Sequence, residues 1–156
     1  MRQVTMRFTA LDHDAAESYR RITDFARYPE LTTAVREVGV HPPDADGSVV
    51  SEWTVYFRNG LLRWTERDAF DHATRTITFE QLSGDFETFT GGWAVAENAG
   101  GAVITFDATF DLGIPSLADI LEPVAEATLR SNILTILRGL LGTVEREDPA
   151  PVGGPA

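Results

Sequence analysis

The sequence predicts an α+β domain in which a curved antiparallel sheet wraps round a long C-terminal helix. Three observations predict it: a strand-like opening segment, six further alternating segments separated by turn signals, and an apolar stripe of helical period over residues 123–141. Hairpin-linked strands pair antiparallel, and a helix with one apolar stripe must bury it, so we expect the helix to lie against the sheet. The length of 156 residues is that of one domain.

The first elements are a strand over residues 2–10 and two short helices. Asp12 or Asp14 can cap a helix that runs from about Ala15 to Phe25. The segment Tyr28-Pro29-Glu30-Leu31 breaks this helix and starts a short second one. At the other end of the chain, we expect the long helix to begin near Pro123, after a short helical piece, and to end at Gly142.

The middle of the chain is predicted to be a run of hairpins. The six strands are expected at 34–41, 48–58, 61–71, 75–82, 86–96 and 102–112. Asn59-Gly60 is a strong hairpin signal, because both central turn positions favour residues that tolerate positive φ. With a two-residue loop at that point, Trp53 pairs with Glu66, Ser51 with Asp68, and Glu52 with Arg67 on the outer face.

This register places aromatic side chains and two carboxyl groups on the concave face. One helix cannot fill so large a face, so either loops plug the space or a cavity remains, and such a cavity is the usual form of a small-molecule site. A carboxyl group inside it would have a raised pKa suited to acid–base chemistry. Inward tryptophans are equally compatible with an ordinary hydrophobic core without a ligand site. A one-residue bulge in the strand would turn Glu66 and Asp68 outward and would turn Arg67 toward the concave face instead.

Composition excludes several functions. The formal net charge of −11 disfavours nucleic acid as a partner, and no apolar run is long enough to enter a membrane. Cysteine is absent, and His13, His41 and His72 lack the spacing of metal ligands, so we expect neither a metal site nor a cofactor. The opening residues lack a signal-peptide core, which predicts a cytoplasmic protein. We expect the domain to span residues 1–144 and residues 145–156 to form a disordered tail; monomer and homodimer both remain open.

The sequence resembles the single-domain aromatase/cyclases of bacterial aromatic polyketide synthesis, within the START-like superfamily of polyketide cyclases and coenzyme Q-binding proteins. The segments that carry the resemblance are Tyr28-Pro29-Glu30-Leu31, Trp64-Thr65-Glu66-Arg67-Asp68, Arg75-Thr76-Ile77, Gly92-Trp93 and Arg130-Ser131-Asn132. It covers residues 3 to 142 and implies the helix-grip fold. It also implies a poly-β-ketone ligand, delivered by an acyl carrier protein of a polyketide synthase, that undergoes aldol cyclisation with possible loss of water.

The resemblance also suggests site residues. Trp64 and Trp93 match pocket-wall tryptophans, Tyr28 matches an aromatic near the mouth, and Asn132 matches a polar residue on the closing helix. The family's inward arginines correspond to Asp68 and Gln81, and a family tyrosine corresponds to Val35, so the usual machinery is altered.

We therefore expect Glu66, Asp68 and Asn132 to act in catalysis. The expected substrate-binding residues are Tyr28, Trp53, Trp64, Arg67, Phe79, Gln81, Phe86, Phe89 and Trp93. The alternative is a protein of the same fold that carries a lipid or an isoprenoid quinone without chemistry, a reading that the likeness of residues 81–86 to the coenzyme Q-binding branch keeps open.

Overall fold

The computed structural model describes residues 1–58, 60–113 and 118–147. Its helices are α1 (Ala15–Thr23), a 3₁₀ helix (Phe25–Arg27), α2 (Tyr28–Leu31) and α3 (Ala118–Leu141). Its strands are β1 (Arg2–Ala10), β2 (Val35–Val40), β3 (Val49–Phe57), β4 (Gly60–Asp71), β5 (Thr76–Gly84), β6 (Thr88–Asn98), β7 (Gly101–Asp111) and β8 (Val144–Arg146). The antiparallel sheet has the order β2-β3-β4-β5-β6-β7-β1-β8 and holds α3 against its concave face. The helix-grip fold is confirmed, with eight strands in place of about seven.

Local signals explain the first helical region. Asp14, rather than Asp12, caps α1, and its carboxylate accepts the Glu17 N–H at 2.9 Å. Asp12 instead accepts the Thr143 N–H at 2.9 Å, which ties the end of β1 to the segment after α3. The first helix ends at Thr23, two residues before the expected end, because the chain continues from Asp24 into the 3₁₀ helix.

The β3–β4 hairpin has a different register from the expected one. Phe57 pairs with Gly60, so Trp53 pairs with Trp64 and Ser51 with Glu66. The turn lies one residue earlier than expected because Arg58 takes a positive φ of 52°; Asn59 lies outside the described residues. Moving the turn by one residue shifts each residue's partner on the other strand by two positions. The same side chains therefore still point to the concave face of each strand. The expected Glu52–Arg67 pair is therefore wrong: Glu52 lies opposite Thr65.

The C-terminal region also differs from expectation. Helix α3 is continuous from Ala118 and contains Pro123, so residues 118–122 belong to the long helix rather than to a separate short one. The expected piece at Pro115 lies outside the described residues. Gly142 ends the helix with φ of 81°, and its N–H donates to the Arg138 carbonyl. Residues 145 and 146, expected in a disordered tail, instead pair with β1 in β8; residues 148–156 lie outside the described residues.

Candidate functional site

A small cavity lies between the concave face of the sheet and α3. Its volume is about 80 Å³, well below the roughly 300–1,000 Å³ of typical small-molecule sites. The side chains around it are mostly aromatic or aliphatic and include no Lys, Arg or His among the described residues. They are Phe25, Tyr28, Ala34, Trp53, Val55, Trp64, Glu66, Asp68, Ile77, Phe79, Phe89, Trp93, Phe106, Leu129, Asn132, Ile133 and Ile136.

The expected large hollow is thus mostly filled, and aromatic rings fill it. Trp53 and Trp64 stack nearly parallel, with planes 5° apart. Phe25 and Tyr28, from the short helices, press edge-on against Trp53 at centroid distances of 5.2 and 5.4 Å. Phe89 meets Trp64 edge-on at 5.4 Å. The alternative that other segments plug the space is thus largely correct, because the 3₁₀ helix and α2 contribute these two rings.

Glu66 and Asp68 both lie inside this aromatic shell. Their exposed fractions are 5% and 0%, and both border the cavity. A bulge does exist beside them, where the pairing shifts between Thr65 and Glu66, but the unpaired residue is Leu82 on β5. Strand β4 therefore keeps its alternation, and the open alternative is resolved with both carboxyl groups inward.

Each carboxyl group is held by a tryptophan, directly or through a serine. The Trp64 indole N–H donates to Glu66 Oε1 at 2.7 Å. The Trp53 indole N–H donates to Ser51 Oγ at 2.8 Å, and the Ser51 hydroxyl donates to Asp68 Oδ2 at 2.6 Å. Ser51 did not figure among the predicted site residues, although its place on the inner face of β3 beside Asp68 was a usable signal.

The carboxyl groups of Glu66 and Asp68 are close enough for each to shift the pKa of the other. Asp68 Oδ1 is buried and receives no hydrogen bond from any ordinary N–H or O–H donor of the described residues. The neighbour that can satisfy it is Glu66, provided that the Glu66 carboxyl is protonated. A single proton on the pair would satisfy this oxygen and would avoid two like charges in a dry site.

Burial sets the pKa values of this pair. Desolvation raises the pKa of Glu66 well above its usual range, the hydrogen bond and charge of Asp68 raise it further, and the Trp64 indole lowers it. Desolvation also raises the pKa of Asp68, but hydrogen bonds from Glu66 and Ser51 oppose the rise. We assign the proton to Glu66 and the negative charge to Asp68, because the pKa of Glu66 is raised further and the Ser51 hydroxyl stabilises the Asp68 carboxylate.

Tyr28 lies deep in the protein rather than near a mouth. It is 2% exposed, and its hydroxyl donates to the Ile22 carbonyl at 2.6 Å. Burial raises the pKa of Tyr28 well above its usual range, and the charges of Glu66 and Asp68 raise it further. Its ring contributes to the cavity wall, while its hydroxyl fastens the first residue of α2 to the end of α1.

The two amide side chains have different positions. Asn132 borders the cavity, and its Nδ2 donates to the Tyr56 carbonyl at 2.9 Å. Gln81 pairs with Glu66 across the strands but lies outside the cavity lining. Its amide bonds the main chain of Phe86 twice, donating to the carbonyl and accepting the N–H, so it shapes the β5–β6 connection.

Arg67 is not brought to the cavity. It faces outward between the two carboxyl residues, and its guanidinium donates to Asp44 at 2.6 Å and to Ser48 at 3.1 Å. The strand alternation that buries Glu66 and Asp68 forces this orientation. We therefore leave Arg67 out of the ligand site proposed below.

The remaining predicted residues extend the site away from the acid pair. Phe79, Phe89 and Trp93 border the main cavity. Phe86 borders a second, apolar cavity of about 40 Å³. The two cavities share five bordering residues, namely Val55, Trp64, Phe89, Leu129 and Asn132. Trp64 and Phe89, which touch edge to face, are the large side chains common to both.

The described residues contain no cluster of three or more His, Asp or Glu able to hold a metal ion. Within the same part of the chain, none of the helices has the length and apolar character required to cross a membrane.

Comparison with known proteins assigns the chain to a family. Residues 11–135 match the family described as polyketide cyclase / dehydrase and lipid transport. The chain belongs to this family. The match covers the strand residues that border the cavity and, on α3, all of the bordering residues except Ile136. No curated protein sequence matches the chain significantly.

Solved structures of START-like proteins share the fold of this family member. A protein from Thermus thermophilus superposes with a TM-score of 0.78 at 20% identity, covering 88% of this chain and 94% of that one. The Zhui aromatase/cyclase from a Streptomyces species superposes at 0.75 with 18% identity, covering 90% and 93%. A START superfamily protein from Mycobacterium smegmatis gives 0.75 at 15% identity, covering 89% and 96%. Identities this low establish the shared fold alone.

Proposed function

We propose that the protein is a polyketide cyclase that binds a poly-β-ketone in the cavity and directs an aldol-type cyclisation. The observation that carries the proposal is the buried Glu66–Asp68 pair inside an aromatic cavity. A buried ionisable pair costs stability, and no cationic side chain of the described residues borders this cavity to offset it. Such pairs are characteristic of sites that move protons.

Acid–base chemistry at this pair fits the first step of an aldol reaction. A carboxylate within hydrogen-bond reach of a methylene beside a ketone can remove its proton, a contribution of about 10²–10⁴-fold in rate. Aromatic walls that hold the chain in one folded geometry supply the positioning, which also lowers the barrier. Asn132 borders the cavity and is placed to contact a ligand oxygen.

Binding a polyketide requires a larger cavity than this one. Trp64 and Phe89 border both cavities, so a rotation of either ring would join them. Since the two together measure only about 120 Å³, other lining side chains must also move outward when a ligand binds. The joined chamber would place a ligand's ketone at the acid pair and its remaining length along Phe86, Phe110 and Leu129.

The test is cyclisation of a carrier-bound poly-β-ketone. A minimal polyketide synthase with its acyl carrier protein would be supplied with the wild type, Glu66→Gln or Asp68→Asn, and the products compared by liquid chromatography and mass spectrometry. The proposal expects one cyclised product with the wild type and the spontaneous mixture with both variants. Glu80→Gln, an exposed carboxyl on the adjacent strand, is the matched control and should act as the wild type. Wild-type product distribution equal to that without protein would contradict the proposal.

A second candidate, a lipid or quinone carrier, is favoured by the apolar lining of the cavity and by the lipid transport in the family description. Native mass spectrometry of freshly purified protein distinguishes the two. A carrier should retain a stoichiometric lipid, whereas a cyclase should be empty or hold a polyketide product.

A further inference from the structure

The donors available to a ligand oxygen inside the cavity are few. Gln81 lies outside the lining and is bonded to Phe86, and one of the two N–H groups of the Asn132 amide is used by the Tyr56 carbonyl. The indole N–H groups of Trp53 and Trp64 are used by Ser51 and Glu66, whereas the indole N–H of Trp93, which also borders the cavity, makes no hydrogen bond within the described residues. No guanidinium, ammonium or imidazole group of the described residues borders the cavity to stabilise an enolate.

We infer that the two carboxyl groups divide the labour, with protonated Glu66 donating to the ketone oxygen and the Asp68 carboxylate removing the neighbouring α-proton. The inference rests on the proposed function, which places the reaction in this cavity. It assigns the cavity a substrate class, namely ketones with an acidic methylene group. The enol of such a ketone is stabilised here by a neutral acid rather than by a cation. A buried neutral carboxylic acid is an effective donor to a developing oxyanion.

The hydrogen bonds fix which residue has which role. Asp68 accepts a hydrogen bond from the Ser51 hydroxyl through Oδ2, which favours its charged form, while its buried Oδ1 has no hydrogen-bond partner among the described residues. When a ketone oxygen replaces Oδ1 as the acceptor of the Glu66 proton, Oδ1 is left without a partner and becomes the base. Glu66 is meanwhile held in place by the Trp64 indole on Oε1.

The step balances without any further reactant. The α-carbon–hydrogen bond breaks, its proton forms an O–H bond with Asp68, and its electron pair forms the carbon–carbon double bond of the enol. The ketone oxygen takes the Glu66 proton. Transfer of the proton from Asp68 to Glu66 through their mutual hydrogen bond then restores the starting pair.

Hydrogen–deuterium exchange at the α-carbon of a free ketone tests this inference apart from cyclisation. We would follow 2-tetralone in D₂O at neutral pD by proton NMR with the wild type, Asp68→Asn, Glu66→Gln and Glu80→Gln. We expect the wild type and Glu80→Gln to accelerate exchange equally. Asp68→Asn should lose about 100-fold or more, within the usual contribution of a general base. Glu66→Gln should lose less, because its amide still donates a hydrogen bond.

Ser51→Ala supplies a second test if Asp68→Asn does not fold. Loss of the Ser51 donor raises the pKa of Asp68, so the exchange rate should rise with pD at a higher pD than in the wild type. Wild-type exchange no faster than that of a Glu66→Gln/Asp68→Asn double variant would overturn the inference. A Glu66→Gln variant more impaired than Asp68→Asn would overturn the assigned roles. Exchange without cyclisation would count against the proposed function alone, and cyclisation without exchange against this inference alone.

Discussion

Trp53 and Trp64 face each other across the β3–β4 ladder, with ring centroids 6.1 Å apart and planes 5° apart. Each donates its indole N–H toward the acid pair, Trp64 to Glu66 and Trp53 to Ser51, which in turn donates to Asp68. The stacked pair is therefore both a wall of the cavity and the support that orients its two carboxyl groups.

The first prediction concerns the Trp64 indole. The hydrogen bond from the Trp64 indole lowers the pKa of Glu66. Replacing Trp64 with Phe removes this hydrogen bond, so the pKa of Glu66 should rise. Carbon-13 NMR of labelled glutamate side chains follows this titration. Trp93→Phe is the matched control, because the Trp93 indole makes no hydrogen bond within the described residues although its ring borders the cavity. An equal shift in both variants would show that ring volume, not the N–H, sets the titration.

The second prediction concerns the dependence of stability on pH. The folded pKa of Glu66 is raised above the unfolded value of 4.5, so its stabilising contribution is complete below pH 4.5 and is lost as pH rises through the folded pKa. Glu66→Gln cannot ionise, so its free energy of unfolding should fall less than that of the wild type between pH 5 and pH 8. Each unit of pKa shift corresponds to about 1.4 kcal/mol. Urea unfolding at both pH values measures the difference, and parallel pH profiles would refute a protonated Glu66.

The third prediction concerns the partition between the two cavities. Phe89→Ala should join them and cost about 3–5 kcal/mol of unfolding free energy, as large-to-small core changes do. Phe110→Ala, equally buried but bordering only the second cavity, should cost a similar amount without joining them.

A neutral apolar dye, N-phenyl-1-naphthylamine, distinguishes these variants by fluorescence titration. Phe89→Ala should bind it more tightly than Phe110→Ala does. If the two variants bind alike, the Phe89 ring does not separate the chambers.

The fourth prediction concerns the contact of α3 with α2. A Cβ on Gly139 would lie 2.1 Å from the Leu31 carbonyl oxygen, so only glycine permits this approach. Gly139→Ala should therefore lower the free energy of unfolding by about 1–3 kcal/mol, despite the better helix propensity of alanine. Gly100→Ala, whose Cβ would meet nothing closer than 3.9 Å, should change stability by less than about 0.5 kcal/mol. Urea midpoints measure both, and equal effects would contradict the close helix contact.

Much of this arrangement follows from strand alternation in the sequence. Side chains alternate along β4, so Trp64, Glu66 and Asp68 share one face of the strand whichever residues form the hairpin turn. These inward groups could therefore be predicted even though the predicted register was wrong. The pairing of Trp53 with Trp64 could not be predicted, because it depends on a positive φ at Arg58. Turn statistics favour asparagine and glycine at positions with positive φ.

Other features depend on tertiary contacts that no local pattern contains. The position of Tyr28 is set by its hydroxyl bond to Ile22 and its contact with Trp53, so a motif resemblance placed it at the mouth instead of in the core. The cavity volume depends on how the rings of Phe25, Tyr28 and Trp53 interlock, which periodicity does not specify.

Infrared spectroscopy gives the most direct check on the proton held by Glu66. A protonated carboxyl shows a C=O stretching band that an ionised carboxylate lacks. At pH 7 we predict this band in the wild type and its loss in Glu66→Gln, with Glu80→Gln retaining it. A wild-type spectrum at pH 7 without the band would mean that both carboxyl groups are ionised, and the acid–base account of the cavity would fail.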